Sequence, residues 1–103
     1  MHREIADHST ALVELCRRFG VRRLEVFGSA ARGDDFDPAH SDVDFLVEFT
    51  PNSDFAPLAQ YFDFQEAVEA LLGRKVDLVQ PTAIRNPYLL ASINRARELV
   101  FEA

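Results

Sequence analysis

The sequence predicts an α/β domain of the α+β kind: a small mixed β-sheet with helices packed mainly on one side. Three observations lead there. Helical and strand-like spacing alternate as α-β-α-β-α-β-α-β along 103 residues, a length that suits one small domain over 1–103. The run Val43 to Phe49 is nearly continuous in apolar residues, the pattern of a central strand covered on both faces. Hydrophobic content of 48% and charged content of 27% are ordinary for a globular chain, and nine Phe supply a dense core.

Taken in order, Ser9 to Phe19 places Leu12, Leu15, Cys16 and Phe19 at helical spacing, and Gly20 is a suitable stop. Val21 to Phe27 reads as a strand with Leu24 and Val26 on one face. Gly28 to Gly33 is a turn and short helix, and Asp34 to His40 a polar loop. The second strand starts at Asp42 or Val43 and ends at Phe49, followed by a loop, Thr50 to Ser53, that carries cap residues. Pro57 to Leu72 is a long helix with a broad apolar stripe, stopped by Gly73. Lys75 to Val79 is the third strand and Pro81 to Arg85 a turn. Asn86 then caps a helix that opens on Pro87 and runs to about Arg97. Leu99 to Phe101 is a last short strand.

Charge and composition exclude several functions. Eleven Lys and Arg against 17 Asp and Glu give a net −6, which argues against a dedicated nucleic-acid surface and favours a basic protein partner or a small molecule. The single Cys rules out an internal disulfide, and its place on an apolar helix face makes Cys16 a buried core thiol. No apolar stretch of about 20 residues is present for a membrane span, and residues 1–7 lack the apolar core of a signal peptide. A cytoplasmic location is expected.

The chemistry lies in three aspartates placed where aspartates are disfavoured. Asp42 and Asp44 open a strand and Asp77 sits inside another, although Asp is depleted from strands. Residues two apart on a strand share a face, so Asp42 and Asp44 stand side by side. Adjacent carboxylates repel, and burying them unpaired is costly. Oxygen-liganded Mg²⁺ relieves both problems and brings a nucleotide's phosphates with it. Upstream, the strand before Gly28-Ser29-Ala30-Ala31-Arg32-Gly33 ends in Gly-Ser. Glycine lets backbone approach a ligand closely, and the N–H groups of Ser29 and Ala30 can face an anion if a helix starts there.

Together, Gly28-Ser29, Ser41-Asp42-Val43-Asp44 and Asp77 resemble the signature of the DNA polymerase β-type nucleotidyltransferase superfamily. The short length narrows the resemblance to the minimal nucleotidyltransferases (MNT), the antitoxin half of HEPN–MNT toxin–antitoxin pairs. The likeness covers nearly the whole chain. It departs from the pattern in one place: Ala30 to Ser41 is slightly longer than usual, with Asp34 to Pro38 as the insertion. The resemblance implies the nucleotidyltransferase fold, two Mg²⁺ ions held by Asp42 and Asp44, and phosphates held by Gly28 and Ser29. Asp77 would complete the second metal site, either as a ligand or as the base that receives the proton. ATP would be the substrate, and AMP would pass to a hydroxyl, a tyrosine, of a HEPN ribonuclease toxin with which the chain forms a hetero-oligomer. Two other functions share these features: an antitoxin that acts by binding alone, and a nucleotidyltransferase for a small molecule.

Several neighbouring residues have plainer readings. Arg32 either touches a phosphate or pairs with Asp34 and Asp35. Ser41 is a turn residue, while Asp34, Asp35 and Asp37 form a solvated loop and His40 is exposed beside the motif. Glu48 lies too far along its strand to join the site, and Lys75 reads as a surface lysine. Tyr61, Phe62 and Phe64 are core and interface residues.

Overall fold

Two seven-residue strands, β1 (Val21–Phe27) and β2 (Val43–Phe49), pair antiparallel at the centre of a four-stranded sheet. The computed structural model describes residues 2–32, 42–51, 54 and 56–103. The polar loop with Asp34, Asp35, Asp37, His40 and Ser41, and the cap residue Ser53, lie outside the described residues. On one side of the central pair, β3 (Val76–Val79) joins β2 in parallel. On the other, β4 (Arg97–Glu102) joins β1 antiparallel, giving the order β3-β2-β1-β4. The helices are α1 (Arg3–Ala6), α2 (Ser9–Arg18), α3 (Ser29–Arg32), α4 (Pro57–Leu72) and α5 (Pro87–Arg95), with a 3-10 turn at Pro81–Ala83.

Alternation along the strands decides which face each residue takes. Leu24, Val26, Val43, Phe45 and Val47 point into the main core. There they meet Leu12 and Cys16 of α2 and Phe64 and Val68 of α4. Phe64 is fully buried and meets Phe19 and Phe49 edge-on, with centroids 5.9 and 6.1 Å away. Cys16 is equally buried, and burial pushes its thiol up to about 12, so it is an inert core thiol. The opposite face carries a smaller cluster, Phe27, Leu46 and Ile93, the last from α5. Helices therefore cover one face fully and the other in part, and the part left open is where the aspartates lie.

One turn of α4 after another closes the outer edge of β3. Tyr61, Gln65 and Glu69, spaced four apart, share one helix face. Tyr61 Oη–H donates to the Leu78 carbonyl, Gln65 Nε2 donates to the Val76 carbonyl at 2.9 Å, and Glu69 Oε2 accepts from the Val76 N–H at 2.9 Å. An edge that would otherwise present free backbone groups is satisfied by side chains. Tyr61 thus does a job that core packing alone did not predict. Helix α4 ends as expected, with Gly73 at φ 66° after Leu72. Ala56 holds its N-cap position without a side-chain bond.

Several boundaries differ from the sequence reading. A one-turn helix, α1, precedes the expected first helix; four residues are too few to show periodicity. Helix α5 opens on the Asn86 cap and Pro87 as expected but stops at Arg95. Strand β4 starts at Arg97 rather than Leu99 because Arg97 is drawn to Glu25 of β1. Its Nε and Nη2 donate to the two Glu25 carboxylate oxygens at 2.8 and 2.7 Å, and Arg23 Nε adds a bond of 3.0 Å. Arg23 also bonds Glu102, near the end of β4.

Glu25 is only 6% exposed. The Arg97 hydrogen bond, opposed by burial and joined by the Arg23 bond, holds its carboxyl below the usual range. A depressed carboxylate stabilises the fold above its unfolded pKa, and that contribution is lost as pH falls through the lower folded value. Glu25→Gln is therefore expected to cost about 2 kcal/mol at pH 7, the worth of hydrogen bonds to a charged group. The gap between variant and wild type should close on acidification below pH 4.5, the ordinary value. Urea unfolding at pH 7 and pH 3 measures both; an undiminished gap at pH 3 would rule this account out.

Candidate functional site

The strand register assembles the site. Asp44 is the direct partner of Asp77 across the parallel β2–β3 pair and of Phe27 across the antiparallel β1–β2 pair. Directly opposed residues point to the same face, so the two carboxylates meet on the open side of the sheet. Asp44 is half-buried and Asp77 exposed. The Asp44 carboxyl is pushed up to about 6, first by burial, then by the charge of Asp77 and a hydrogen bond with it, and last by the charge of Asp42. Asp42 lies exposed, one residue ahead of β2.

Gly28 follows β1 at φ 72°. A Cβ there would lie 2.8 Å from Asp44 Oδ2, closer than atoms of that kind approach. The glycine is thus required twice, by its backbone conformation and by the carboxylate it faces. Ser29 and Arg32 are the first and last residues of α3. Between them Ala30 and Ala31 are buried, so small side chains let this turn lie close to the sheet. The Ala31 N–H donates to the Gly28 carbonyl at 3.1 Å, and the His2 N–H to the Ala30 carbonyl, tying the start of the chain to the same turn.

These residues border a groove of about 610 Å³ lined by Phe27, Gly28, Asp44, Asp77, Val79 and Leu89, with Leu78 and Ser92 completing it. The structure therefore brings together Gly28, Asp44 and Asp77 from three separate places in the sequence. Asp42 stands near enough to act on Asp44 by charge. Among the described residues no group of three or more His, Cys, Asp or Glu closes on one point in the manner of a preformed metal cage. What the site offers is a pair of hard oxygen donors that repel each other, one of them half-buried. A divalent cation suits that donor set, since it favours the charged form of both.

The plainer readings of other residues hold where they can be checked. Glu48 pairs with Arg22 at 3.6 Å, and Lys75 is exposed. Phe64 is core, whereas Phe62 is 54% exposed. The sequence reading missed the contribution of α5, whose Leu89 and Ser92 line the groove. It also missed Arg97, whose Nη1 donates to Asn94 Oδ1 at 2.8 Å and so fastens the end of α5 to the sheet. A signal for this was present: Glu25 in the middle of a strand is also disfavoured, though less than the aspartates. No helix among the described residues is long and apolar enough to cross a membrane.

Residues 9–100 match the nucleotidyltransferase domain family. The protein adenylyltransferase MntA of Thermococcus cleftensis is 42% identical over 73 residues, 71% of this chain and 69% of that protein. A solved structure provisionally called a minimal nucleotidyltransferase superposes with a TM-score of 0.72 at 32% identity, covering 95% of both chains. A complex of tri-AMPylated Shewanella oneidensis HEPN toxin with MNT antitoxin contains a chain that shares the fold, with a TM-score of 0.63 at 14% identity over 95% of this chain and 72% of that one.

Proposed function

This chain belongs to the nucleotidyltransferase domain family, in its minimal form, and is an enzyme of that class; on that footing we propose that it moves AMP from ATP to a tyrosine hydroxyl of a HEPN-domain toxin and so serves as its antitoxin. The observation that carries the reading is the meeting of Asp44 with Asp77 beside a glycine that leaves room for Asp44 Oδ2. Similarity to a protein adenylyltransferase at 42% identity supports AMP as the transferred group and a protein as acceptor. The fold shared with an MNT antitoxin bound to an AMPylated HEPN toxin supports the kind of partner.

Each residue has a role in this reading. Gly28 and Ser29, where β1 turns into α3, hold the β- and γ-phosphates, and Arg32 at the end of α3 is a further phosphate contact. Asp42, Asp44 and Asp77 would hold two Mg²⁺ ions, which when bound neutralise phosphate charge and lower the pKa of the acceptor hydroxyl. Asp77, exposed on β3, takes the proton as the acceptor oxygen bonds to the α-phosphorus. The bond from that phosphorus to the bridging oxygen breaks, and pyrophosphate leaves. Phe27, Val79 and Leu89 wall the groove with apolar surface that keeps water from competing with the acceptor. AMP adds bulk and negative charge to the tyrosine, which explains inhibition of an RNA-binding toxin.

The test is to combine the chain with Mg²⁺, α-labelled ATP and the HEPN-domain protein encoded beside it. Label on a partner tyrosine, with a mass gain of whole AMP units that disappears on chelation of Mg²⁺, is the expected result. A tight complex with no label would make the chain an antitoxin that acts by binding alone. Label on small hydroxyl compounds in the absence of the partner would make it a small-molecule nucleotidyltransferase.

A further inference from the structure

A second groove, of about 530 Å³ and largely apolar, lies against the carboxylate groove. Leu58, Tyr61 and Phe62 of α4, Leu78 and Val79 of β3, and Ala83 of the 3-10 turn wall it. Leu78 and Val79 also line the carboxylate groove, so the two grooves meet at β3. Leu58 and Phe62, four residues apart on α4, are 71% and 54% exposed. Apolar side chains this large and this close together are unusual on a surface that serves only to meet water.

Phe62 is exposed without being loose. Its ring packs edge-on against Tyr61, with centroids 5.3 Å apart and planes at 86°. Tyr61 in turn is held by its hydrogen bond to the Leu78 carbonyl. A rigid, exposed aromatic ring gives up little conformational freedom on binding, which is the property of an interface anchor. Spacing of i and i+4 on one helix suits a partner that lays an apolar ridge alongside.

Charge narrows the occupant. Asp54 precedes α4, Asp63 follows Phe62, and Asp77 neighbours Leu78; all three are exposed, against Lys75 before β3 and Arg85 after the 3-10 turn. The chain as a whole carries −6, so a second copy of it would be repelled. A partner with basic residues flanking an apolar ridge is attracted.

We propose that this groove seats an apolar, basic-flanked ridge of the polypeptide acceptor, so that the acceptor hydroxyl is delivered to Asp44 and Asp77 from the side of β3. The proposal rests on the reading that the acceptor is a protein. The docking surface and the carboxylate groove share Leu78 and Val79, which places a docked acceptor beside the reacting groups.

The test is the double variant Leu58→Glu, Phe62→Glu, both at exposed positions, with far-ultraviolet circular dichroism as the check on folding. The milder Phe62→Ala is carried alongside. Three quantities are measured: KM and kcat for AMP transfer to the HEPN-domain protein encoded beside the chain, Kd for that protein by calorimetry, and affinity for ATP alone. The double variant is expected to raise KM and Kd by about 30-fold or more, the scale of losing an interface anchor. The kcat at saturating partner and the ATP affinity should stay at wild-type values, and Phe62→Ala should move KM in the same direction by less. Wild-type labelling with equal labelling by the double variant would overturn the docking groove and leave the transfer reading intact. Absence of labelling by the wild type would overturn the transfer reading. In that case the groove is decided by Kd alone: it stands if the variant loses the complex and falls if the variant keeps it.

Discussion

Asp44→Asn is expected to abolish transfer and, in the metal-free protein, to raise stability above pH 6. The first effect follows from Asp44 sitting between Asp77 and Gly28 at the centre of the groove. Asn keeps the shape but removes the charge that would hold a divalent cation. A loss of about 1,000-fold or more in kcat, corresponding to about 4 kcal/mol, is the expected scale. The second effect follows from titration. The Asp44 carboxyl is raised from 3.8 to about 6, chiefly by burial and then by Asp77.

A carboxyl whose folded pKa is raised binds its proton more tightly in the native state. Its charge then costs stability, beginning as pH rises past 3.8 and complete above about 6. At 1.36 kcal/mol per unit the full cost would be about 3 kcal/mol, and solvent reaching a half-buried group reduces it to roughly 1–2 kcal/mol. Asn carries no such cost. Thermal unfolding in chelator across pH 4–8 should therefore show the wild type falling below the variant as pH rises. Addition of Mg²⁺ should restore the wild type and leave the variant unmoved. Wild-type transfer by the variant, or a variant less stable than wild type at pH 7.5 in chelator, would remove Asp44 from its assigned place. Stability sacrificed at one residue for activity is a familiar relation at functional sites.

Gly28→Ala is the second large effect, and its signature is an activity loss out of proportion to the stability loss. The backbone there has φ 72°, which costs a residue with a Cβ roughly 1–2 kcal/mol. In a domain of this length that lowers Tm by about 4–16 °C. The added Cβ would also stand 2.8 Å from Asp44 Oδ2. The carboxylate is the softer of the two and must swing aside. Displacing a reacting group by about 1 Å costs on the order of 100-fold in rate. We expect a folded variant with kcat reduced by about that factor. Combination with Asp44→Asn should lower transfer no further than Asp44→Asn alone, since both act on one group. Wild-type kcat in a merely destabilised Gly28→Ala would show that the close approach has no catalytic meaning.

Much of this architecture is legible in one dimension because its signals are local. Alternation in Val21–Phe27, the nearly continuous apolar run of Val43–Phe49, the helical stripe of Pro57–Leu72, the Gly73 stop and the Asn86-Pro87 cap each concern a few neighbouring residues. Each is enforced by backbone sterics or by burial of one face. Asp44 and Asp77 stood out for the complementary reason: each violates the local rule of its strand, and such violations concentrate where function is. The ends of β4 and α5 were misplaced because a contact between Arg97 and Glu25, 72 residues apart, sets them.

By itself, then, the sequence determined the order of the elements, the family resemblance and the unusual aspartates. Those depend on spacing along the chain and on residue types that tolerate few alternatives. Only the tertiary structure decided that Asp44 and Asp77 are register partners, that Asp44 Oδ2 fills the space beside Gly28, and that the exposed Leu58 and Phe62 line a second groove sharing Leu78 and Val79 with the first. The physical reason is that sheet register and helix docking follow from the summed packing of distant residues. No window of sequence contains that sum, and it alone brings separate segments within reach of one another.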